Sequence, residues 1–211
     1  MQVSILTHTP DMLRVIWTAA RTCYSPFSPQ ELWESESDRE EMLSLVRRIF
    51  KSGHLSVVEH CTITYAVSGV SRTLLAQYSR HRIGVSLSVQ SQRHVSAASR
   101  RHGGIFPFVV PASIRDHPEA FREYREQLAA IQRSYEGLLE LGINKEDARF
   151  LLPGGAATNF VTTVNLRSLW DIYQKRVVTP GAQWEIRDMV RTMAQLIIER
   201  EPWLAEFFPT R

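Results

Sequence analysis

One short segment, from Gln77 to Arg93, concentrates side chains that could hold an anionic ligand. It contains three arginines, one histidine, four serines and three glutamines, and it has no acidic residue. Arginine keeps its charge and presents a planar fork of donors that matches phosphate oxygens, while serine and glutamine add neutral donors that can orient a base or a ribose. The segment therefore predicts a site for a phosphorylated ligand.

The order of residues within this segment resembles the signature of the flavin-dependent thymidylate synthases. That signature is an Arg-His-Arg triplet, here residues 80–82, followed after a loop by a serine, a variable residue and an arginine, here residues 91–93. The loop between them has one residue more than the family usually places there, and we assign the insertion to the neighbourhood of Val85. Both ends of the signature are intact.

Other stretches resemble landmarks of the same family and follow in the same order along nearly the whole chain. They are AARTCYS at 19–25, GHLSVVEH at 53–60, Ala148-Arg149 with Leu152-Pro153, NLRSLWDIYQKR at 165–176 and QWEIR at 183–187. A lone Arg-His-Arg triplet would be weak support, whereas six ordered blocks support the resemblance strongly.

The resemblance implies an enzyme that converts dUMP to dTMP. It implies 5,10-methylenetetrahydrofolate as the carbon donor, FAD reduced by NADPH as the hydride source, and a reaction without an enzyme nucleophile. It also implies a homotetramer with shared active sites. Because the chain has no GxGxxG motif, the flavin site would not be of the Rossmann type.

Site residues follow from the resemblance position by position. For FAD the matching residues are Ser56, Arg80, His81, Arg82, Val89, Asn165, Arg167 and Asp171. For dUMP they are Gln77, Tyr78, Ser79, Arg80, Val89, Gln90, Ser91, Gln92, Arg93, Arg149 and Arg176. Arg176 is the catalytic candidate, because a guanidinium against the uracil N3–O4 edge would stabilise negative charge as N3 loses its proton. Asp171 stands where the family usually has a neutral polar residue, so it brings a negative charge close to a flavin contact.

Composition indicates one ordinary globular domain spanning residues 1–211. The chain is 44% hydrophobic and 22% charged, with a formal net charge of +3, and 25 of its residues are Lys or Arg. Only Lys51, Lys145 and Lys175 are lysines. This arginine bias is explained equally well by genome composition and by function, so specific arginines must carry the functional argument.

Neither secretion nor membrane insertion is predicted. The N-terminus has no basic stretch followed by an apolar run, and the chain has no apolar stretch of roughly 18 residues, so we expect a cytoplasmic protein. In that reducing compartment Cys23 and Cys61 are expected to be small buried hydrophobic residues. The chain lacks GxSxG, HExxH, CxxC and Walker motifs, and His54, Glu59 and His60 lack further ligands, so no metal site is expected.

Hydrophobic periodicity predicts a helix-rich α+β fold with a mixed sheet. Strands are predicted at the N-terminus, at 62–67 and at 158–164, and an extended loop follows the triplet. Helices are predicted over 11–24, from a start between 28 and 38 up to 53, and over 72–79, 118–141, 146–152, 165–177 and 182–200.

Two other functions compete with the synthase. An Arg-rich nucleic-acid-binding module would explain the pI of about 9.1 and would use Tyr78 and Phe106 to stack bases. Against it, the basic residues are scattered among helices rich in carboxylates. A flavoprotein reductase without methyl transfer shares the FAD prediction but has no use for a nucleotide site. Oxidation of reduced flavin that depends on dUMP would distinguish the reductase from the synthase.

Two histidines keep two interpretations. His54 and His81 either position the flavin or the folate, or are structural histidines.

Overall fold

The computed structural model describes residues 1–98 and 103–209, and it is an α+β structure with more helix than strand. The strands are β1 (Gln2–His8), β2 (Thr62–Ser71), β3 (Val85–Val89) and β4 (Ala157–Asn165). The helices are α1 (Met12–Thr22), α2 (Pro29–Glu34), α3 (Arg39–Ser52), α4 (Arg72–Tyr78), α5 (Ala112–Arg115), α6 (Pro118–Glu140), α7 (Lys145–Ala148), α8 (Leu166–Tyr173) and α9 (Trp184–Arg200). Short 3-10 turns cover Leu55–His60, Arg149–Leu151 and Pro202–Glu206, and a π-helical turn covers Gln174–Val178. The predicted helix-rich α+β class is confirmed.

The four strands form one sheet in the order β1-β2-β4-β3. Between β3 and β4, Gln90 N donates to Asn159 O at 2.9 Å, and Asn165 N donates to Gly84 O at 3.0 Å. Residue numbers therefore rise along one strand as they fall along its neighbour, which is the antiparallel arrangement. The other strand pairs reverse in the same way, with Thr9 opposite Thr62, Cys61 opposite Leu166 and Thr64 opposite Thr163.

The expectation of a mixed sheet was wrong, because every strand pair is antiparallel. Helical segments between strands are typical of parallel crossovers. Here the chain passes through helices after β1, after β2 and before β4, and still returns in the opposite direction. The helices between strands therefore misled the sequence argument.

Two compact units emerge from the internal contacts of the chain, and each is discontinuous in sequence. The first consists of Met1–Gln2, Val67–Arg80 and Ser88–Phe160, and the second of Val3–Ala66, His81–Leu87 and Val161–Arg211. The single domain expected from the sequence stays a prediction.

In the first unit, α6 forms a core that packs against residues following the segment from Gln77 to Arg93. Leu128 of α6 is buried with Phe106 and Ala156. The buried Gln132 accepts a hydrogen bond from Phe106 N at 2.9 Å and donates one to Ala97 O at 3.1 Å. A buried amide of this kind must be satisfied on both sides, so it fixes the two backbone segments relative to α6.

In the second unit, α9 supplies the central apolar face. Met189, Met193 and Ile197 are fully buried at helical spacing. The buried Tyr65 of β2 donates its hydroxyl to Met193 O at 2.9 Å, which ties the strand to the helix. No helix in the described part of the chain has the length and apolar content needed to cross a membrane.

Helix caps explain where the element boundaries differ from the expected ones. The helix predicted to start between 28 and 38 and to end at 53 is α3, which Asp38 caps. A further short helix, α2, precedes it because Ser28 also acts as an N-cap. Ser28 forms a capping box with Glu31, and the Asp38 carboxylate accepts from Glu40 N and Glu41 N at 3.1 and 3.2 Å. Strand β3 replaces part of the extended loop that was predicted after the triplet.

Candidate functional site

Helix α4 presents the start of the basic segment. Ser71 caps the helix, with Oγ accepting from Leu74 N at 2.9 Å. Near its end the Tyr78 side chain is fully buried and stacks on Phe160, with ring centroids 5.5 Å apart. Burial of this ring leaves the main chain of Tyr78 for the substrate contact that was predicted there. Arg80, two residues further on, is exposed.

Gln90 is held in place by hydrogen bonds from two neighbours in the first unit. Its backbone N donates to Asn159 O at 2.9 Å, and its side-chain oxygen accepts from Asn159 Nδ2 at 3.0 Å. Its backbone oxygen accepts from Arg72 Nη2 at 2.8 Å. The loop that carries the predicted nucleotide ligands therefore begins from a fixed residue.

Glu146 brings Arg93 and Arg149 together in the same unit. Its carboxylate pairs with Arg93 Nε at 3.1 Å, and its backbone oxygen accepts from Arg149 Nε at 3.0 Å. Ser91 Oγ accepts from Arg93 N at 3.2 Å, which closes a tight local turn. Three of the predicted substrate residues, Ser91, Arg93 and Arg149, thus form one cluster.

A small cavity of about 70 Å³ lies beside this cluster, within the first unit. Its lining residues are Arg72, Gln90, Ser91, Gln92, Val95, Ser96, Ala97, Phe106, Pro107, Leu152, Ala156 and Ala157. Burial lowers the pKa of Arg72, and the nearby charge of Arg149 lowers it further. The sequence did not single out Arg72, because one arginine at the start of a helix gives no spacing signal.

In the second unit His81 and Arg176 are joined directly. Arg176 Nε donates to His81 Nε2 at 3.0 Å. An accepting Nε2 carries no proton, so this geometry assigns the neutral tautomer with its proton on Nδ1. The sequence predicted a role for each residue but not the bond between them.

Arg176 lies on the π-helical turn that follows α8. Thr179 closes this turn, with its N and Oγ1 donating to Gln174 O at 2.9 and 2.8 Å. The predicted regular helix over 165–177 therefore changes its winding after Tyr173. Such π turns are frequent at functional sites.

A turn at Gly84 holds the start of α8. Asn165 caps this helix, with Oδ1 accepting from Ser168 N at 2.8 Å, and Ser168 Oγ donates to Ile83 O at 2.8 Å. Gly84 has a φ of +64°, and a Cβ at this position would lie 2.3 Å from both Asn165 Nδ2 and Ser168 Oγ. Only glycine fits here without displacing a predicted flavin contact.

Two of the remaining charged flavin candidates, Arg167 and Asp171, form ion pairs at the surface. Arg167 pairs with Glu59, and Asp171 pairs with Lys175 at 2.6 Å, one helical turn away. Lys175 therefore balances the charge that made Asp171 unusual at this position. Arg82 is exposed, while Val89 is half-buried at the end of β3.

Ser56 lines a larger cavity in the second unit. The cavity has a volume of about 310 Å³. It is lined by Ala20, Cys23, Tyr24, Leu45, Arg48, Ile49, Ser52, His54, Ser56 and Val57. The exposed Cys23 contradicts the expectation that both cysteines are buried, whereas Cys61 is buried as expected. Cys23 lies just past the end of α1, where its side chain reaches the surface.

Comparison with known proteins gives the family. The model of the thymidylate synthase complementing protein family, Thy1, matches residues 4–203. The flavin-dependent thymidylate synthase of Nitratidesulfovibrio vulgaris is 36% identical over 215 residues, covering 96% of this chain and 84% of that protein. The chain belongs to the flavin-dependent thymidylate synthase family. The enzyme of the same name from Geobacter sulfurreducens is also 36% identical, covering 93% of this chain and 82% of that protein. The resemblance found in the sequence is confirmed.

Solved structures with the same fold include members that hold nucleotides. The UMP/dUMP methylase PolB from Streptomyces cacaoi, bound with 5-Br dUMP, has a TM-score of 0.82 at 22% identity and covers 98% of this chain and 94% of its own. Thymidylate synthase X from Helicobacter pylori, with FAD and dUMP, has a TM-score of 0.73 at 22% identity, with 99% and 97% covered. At this identity the likeness supports the fold of the flavin-dependent thymidylate synthase family.

Proposed function

We propose that the protein is a flavin-dependent thymidylate synthase, which methylates dUMP to dTMP. The carbon comes from 5,10-methylenetetrahydrofolate, and the hydride comes from FAD that NADPH has reduced. The observation that carries this proposal is the family match over residues 4–203 together with relatives of that name. Nothing in the comparisons supports the nucleic-acid-binding alternative.

The donors in the second unit fit an anionic, flat cofactor such as FAD. His81, Arg82, Asn165 and Arg167 supply cationic and neutral donors, and Ser56 adds a hydroxyl on its own cavity. The acidic neighbours Glu59 and Asp171 are already paired with Arg167 and Lys175, which limits their repulsion of a pyrophosphate. Within the residues that the structure describes, the sheet has no parallel strand pair, which supports a flavin site outside the Rossmann type. When bound, the reduced flavin supplies hydride to the pyrimidine.

The donors in the first unit suit dUMP. Arg93 and Arg149 can form charge-assisted bonds to phosphate or uracil oxygens, which are roughly twice as strong as neutral ones. Ser91 and Gln92 add neutral donors beside them. Gln77, Ser79 and Arg80 complete the proposed set at the end of α4, together with the main chain of Tyr78, while Val89 and Gln90 contribute from the end of β3.

Arg176 is the proposed activating group. Its guanidinium would stabilise the uracil as N3 loses its proton, through preorganised electrostatics. The bond to His81 anchors the Nε edge of the guanidinium, so the side chain loses less freedom when substrate arrives. His81 would thereby serve Arg176 in addition to the flavin.

Neither cysteine is suited to a thiolate mechanism. Burial raises the pKa of the Cys61 thiol to about 12, so this group stays protonated at neutral pH. Cys23 is exposed just past the end of α1, and its Sγ donates to Ala19 O at 3.7 Å. These two environments support a route without an enzyme nucleophile.

A homotetramer in the cytoplasm is part of the proposal. Large apolar side chains are exposed on the isolated chain, with Tyr24 at 88%, Ile83 at 90% and Phe150 at 83%. These side chains are available for contact with another chain. Free cysteines at 23 and 61 fit a reducing compartment. Light scattering of the purified protein measures the assembly directly.

The test of the proposed function is the dUMP-dependent oxidation of reduced flavin, with dTMP as the measured product. Arg176→Ala is expected to abolish dTMP formation while the protein still binds flavin. Arg122→Ala, which changes an exposed arginine on α6, is the matched control and keeps full activity. Normal turnover by Arg176→Ala would refute the assigned role, and salt-sensitive binding of oligonucleotides by a flavin-free protein would restore the nucleic-acid alternative.

A further inference from the structure

The C-terminal segment, residues 201–209, is tied to two helices of the second unit that lie far earlier in the chain. The Glu201 carboxylate supports the first turn of α1, because its Oε1 accepts from Met12 N at 3.3 Å. The Phe207 ring stacks on Phe50 of α3, with ring centroids 4.0 Å apart. These contacts fix the place of the segment in the fold.

The end of this segment holds Tyr173, the last residue of α8. The Tyr173 hydroxyl donates to Pro209 O at 2.9 Å, and its ring meets Phe208 edge to face, with ring centroids 5.2 Å apart. Tyr173 and Phe208 are each 1% exposed. Burial raises the pKa of the Tyr173 phenol against the opposing charge of Arg191, so the hydroxyl keeps the proton that it donates. Tyr173 is therefore held at its ring by packing and at its tip by a hydrogen bond.

The end of α8 determines where the π turn begins. The turn, Gln174–Val178, starts directly after Tyr173, and Arg176 lies on it. Rewinding a π turn into an α-helix shifts the later side chains around the helix axis, so the turn persists only if the residues on both sides are held. Thr179 holds the far side through two bonds to the first residue of the turn, and Tyr173 holds the near side. The direction in which Arg176 reaches His81 therefore depends on Tyr173.

We propose that the C-terminal segment positions Arg176, with Phe208 and Pro209 acting through Tyr173. All of these residues belong to the second unit. The inference rests on the proposed function, in which Arg176 activates the uracil. Tyr173 and Phe208 are then positioning residues, because they act on the guanidinium through the start of the π turn.

The experiment separates positioning from stability by comparing two tyrosines that form equivalent bonds. Tyr173→Phe removes only the hydroxyl that reaches Pro209 O. Tyr65→Phe is the matched control, because Tyr65 is fully buried in the same unit and also donates to a backbone oxygen, Met193 O, at 2.9 Å. Loss of one such bond should shift the urea midpoint by a similar amount in both variants. A difference between them in binding or turnover therefore reports on Arg176.

The ligand that tests the direction of Arg176 is 5-bromo-dUMP, whose electron-withdrawing bromine makes N3 ionise at a lower pH than in dUMP. A guanidinium at the N3–O4 edge prefers the anion, so the affinity of flavin-loaded wild type should rise with pH as N3 ionises. Tyr173→Phe should reduce that rise by about 5-fold and should lower kcat for dTMP formation by a similar factor, as expected for one lost hydrogen bond. Tyr65→Phe should keep the wild-type rise and the wild-type kcat.

An equal rise in wild type and Tyr173→Phe would overturn the inference. An equal reduction in both tyrosine variants would overturn it as well, since the hydroxyl would then only stabilise the fold. Amide hydrogen exchange adds a measurement that needs no turnover. The peptide containing Thr179, whose N–H closes the π turn, should exchange faster in Tyr173→Phe than in wild type and Tyr65→Phe, and unchanged exchange there would contradict the proposal. If wild type makes no dTMP, the proposed function fails, while faster exchange of this peptide would still support the link between the C-terminal segment and the turn.

Discussion

Replacing Gly84 with alanine tests the turn that joins the basic segment to α8. The backbone at Gly84 is left-handed, with a φ of +64°, and an added Cβ would lie 2.3 Å from Asn165 Nδ2 and Ser168 Oγ. Contacts this short cannot be relieved unless both side chains move. Asn165 would leave its capping position, and Ser168 would lose its bond to Ile83 O.

The expected cost is a sum of three effects. The left-handed backbone costs alanine about 1 kcal/mol. Loss of the Asn165 cap costs about 1 kcal/mol. Loss of the Ser168 bond to Ile83 O adds about 1 kcal/mol. The free energy of unfolding should therefore fall by about 3 kcal/mol, which is a large share of the stability of a typical domain.

Gly53→Ala is the matched control in the same unit. Gly53 has a φ of +75°, and nothing lies within 4 Å of an added Cβ. Gly53→Ala should therefore lower the free energy of unfolding only by the cost of a left-handed alanine, about 1 kcal/mol. Replacing glycine with alanine lowers the conformational entropy of the unfolded chain equally in both variants. The difference between their unfolding free energies therefore measures the cost of the clash at residue 84. Urea denaturation of both proteins gives that difference, and flavin absorbance shows whether Asn165 still serves the cofactor. Equal midpoint shifts in the two variants, with flavin retained in Gly84→Ala, would refute the reasoning.

Two further predictions concern single side chains. Asp171→Asn should change the unfolding free energy by less than about 0.5 kcal/mol, since the pair with Lys175 is exposed, and it should not reduce the flavin content. Flavin loss would contradict the neutralising role of Lys175. Cys61→Ala should stay active. Its stability should also fall less above pH 9 than that of wild type, because the folded thiol keeps its proton up to about pH 12 while the unfolded thiol loses it. This slope difference, about 1.4 kcal/mol per pH unit, is measured by denaturation at two pH values, and parallel profiles would exclude it.

Local sequence signals located most elements but not how they meet. Helix α6 begins at Pro118 and ends beside Gly142, as its apolar stripe and stop signal indicated. The short strand β3 was missed, since its pairing with β4 depends on residues about 70 positions away, and periodicity does not report such partners. The antiparallel sheet was missed because helices between strands are typical of parallel crossovers.

The sequence could predict candidate site residues only where a motif names them, and it gives no signal for residues that stand out only through packing. Residues 91–93 and Arg149 stand in ordered blocks, so the sequence could single them out. Arg72 becomes notable only because its Nε is buried and its Nη2 reaches Gln90 O. Lys175 likewise gains meaning only from its pair with Asp171. Partners of this kind are set by tertiary structure, and no local pattern encodes them.

The winding of the chain after α8 explains why Arg176, and not an adjacent residue, faces His81. A regular helix over 165–177 would advance about 100° per residue through this region. The π turn from Gln174 to Val178 carries more residues per turn, so it rotates the following side chains away from their regular positions. Thr179 stabilises the turn through two bonds to Gln174 O. A π turn is less favourable than an α-helix and is usually retained only where it serves a site. Here the turn places Arg176 so that its Nε donates to His81. This bond sets the direction of the proposed activating guanidinium before substrate binds.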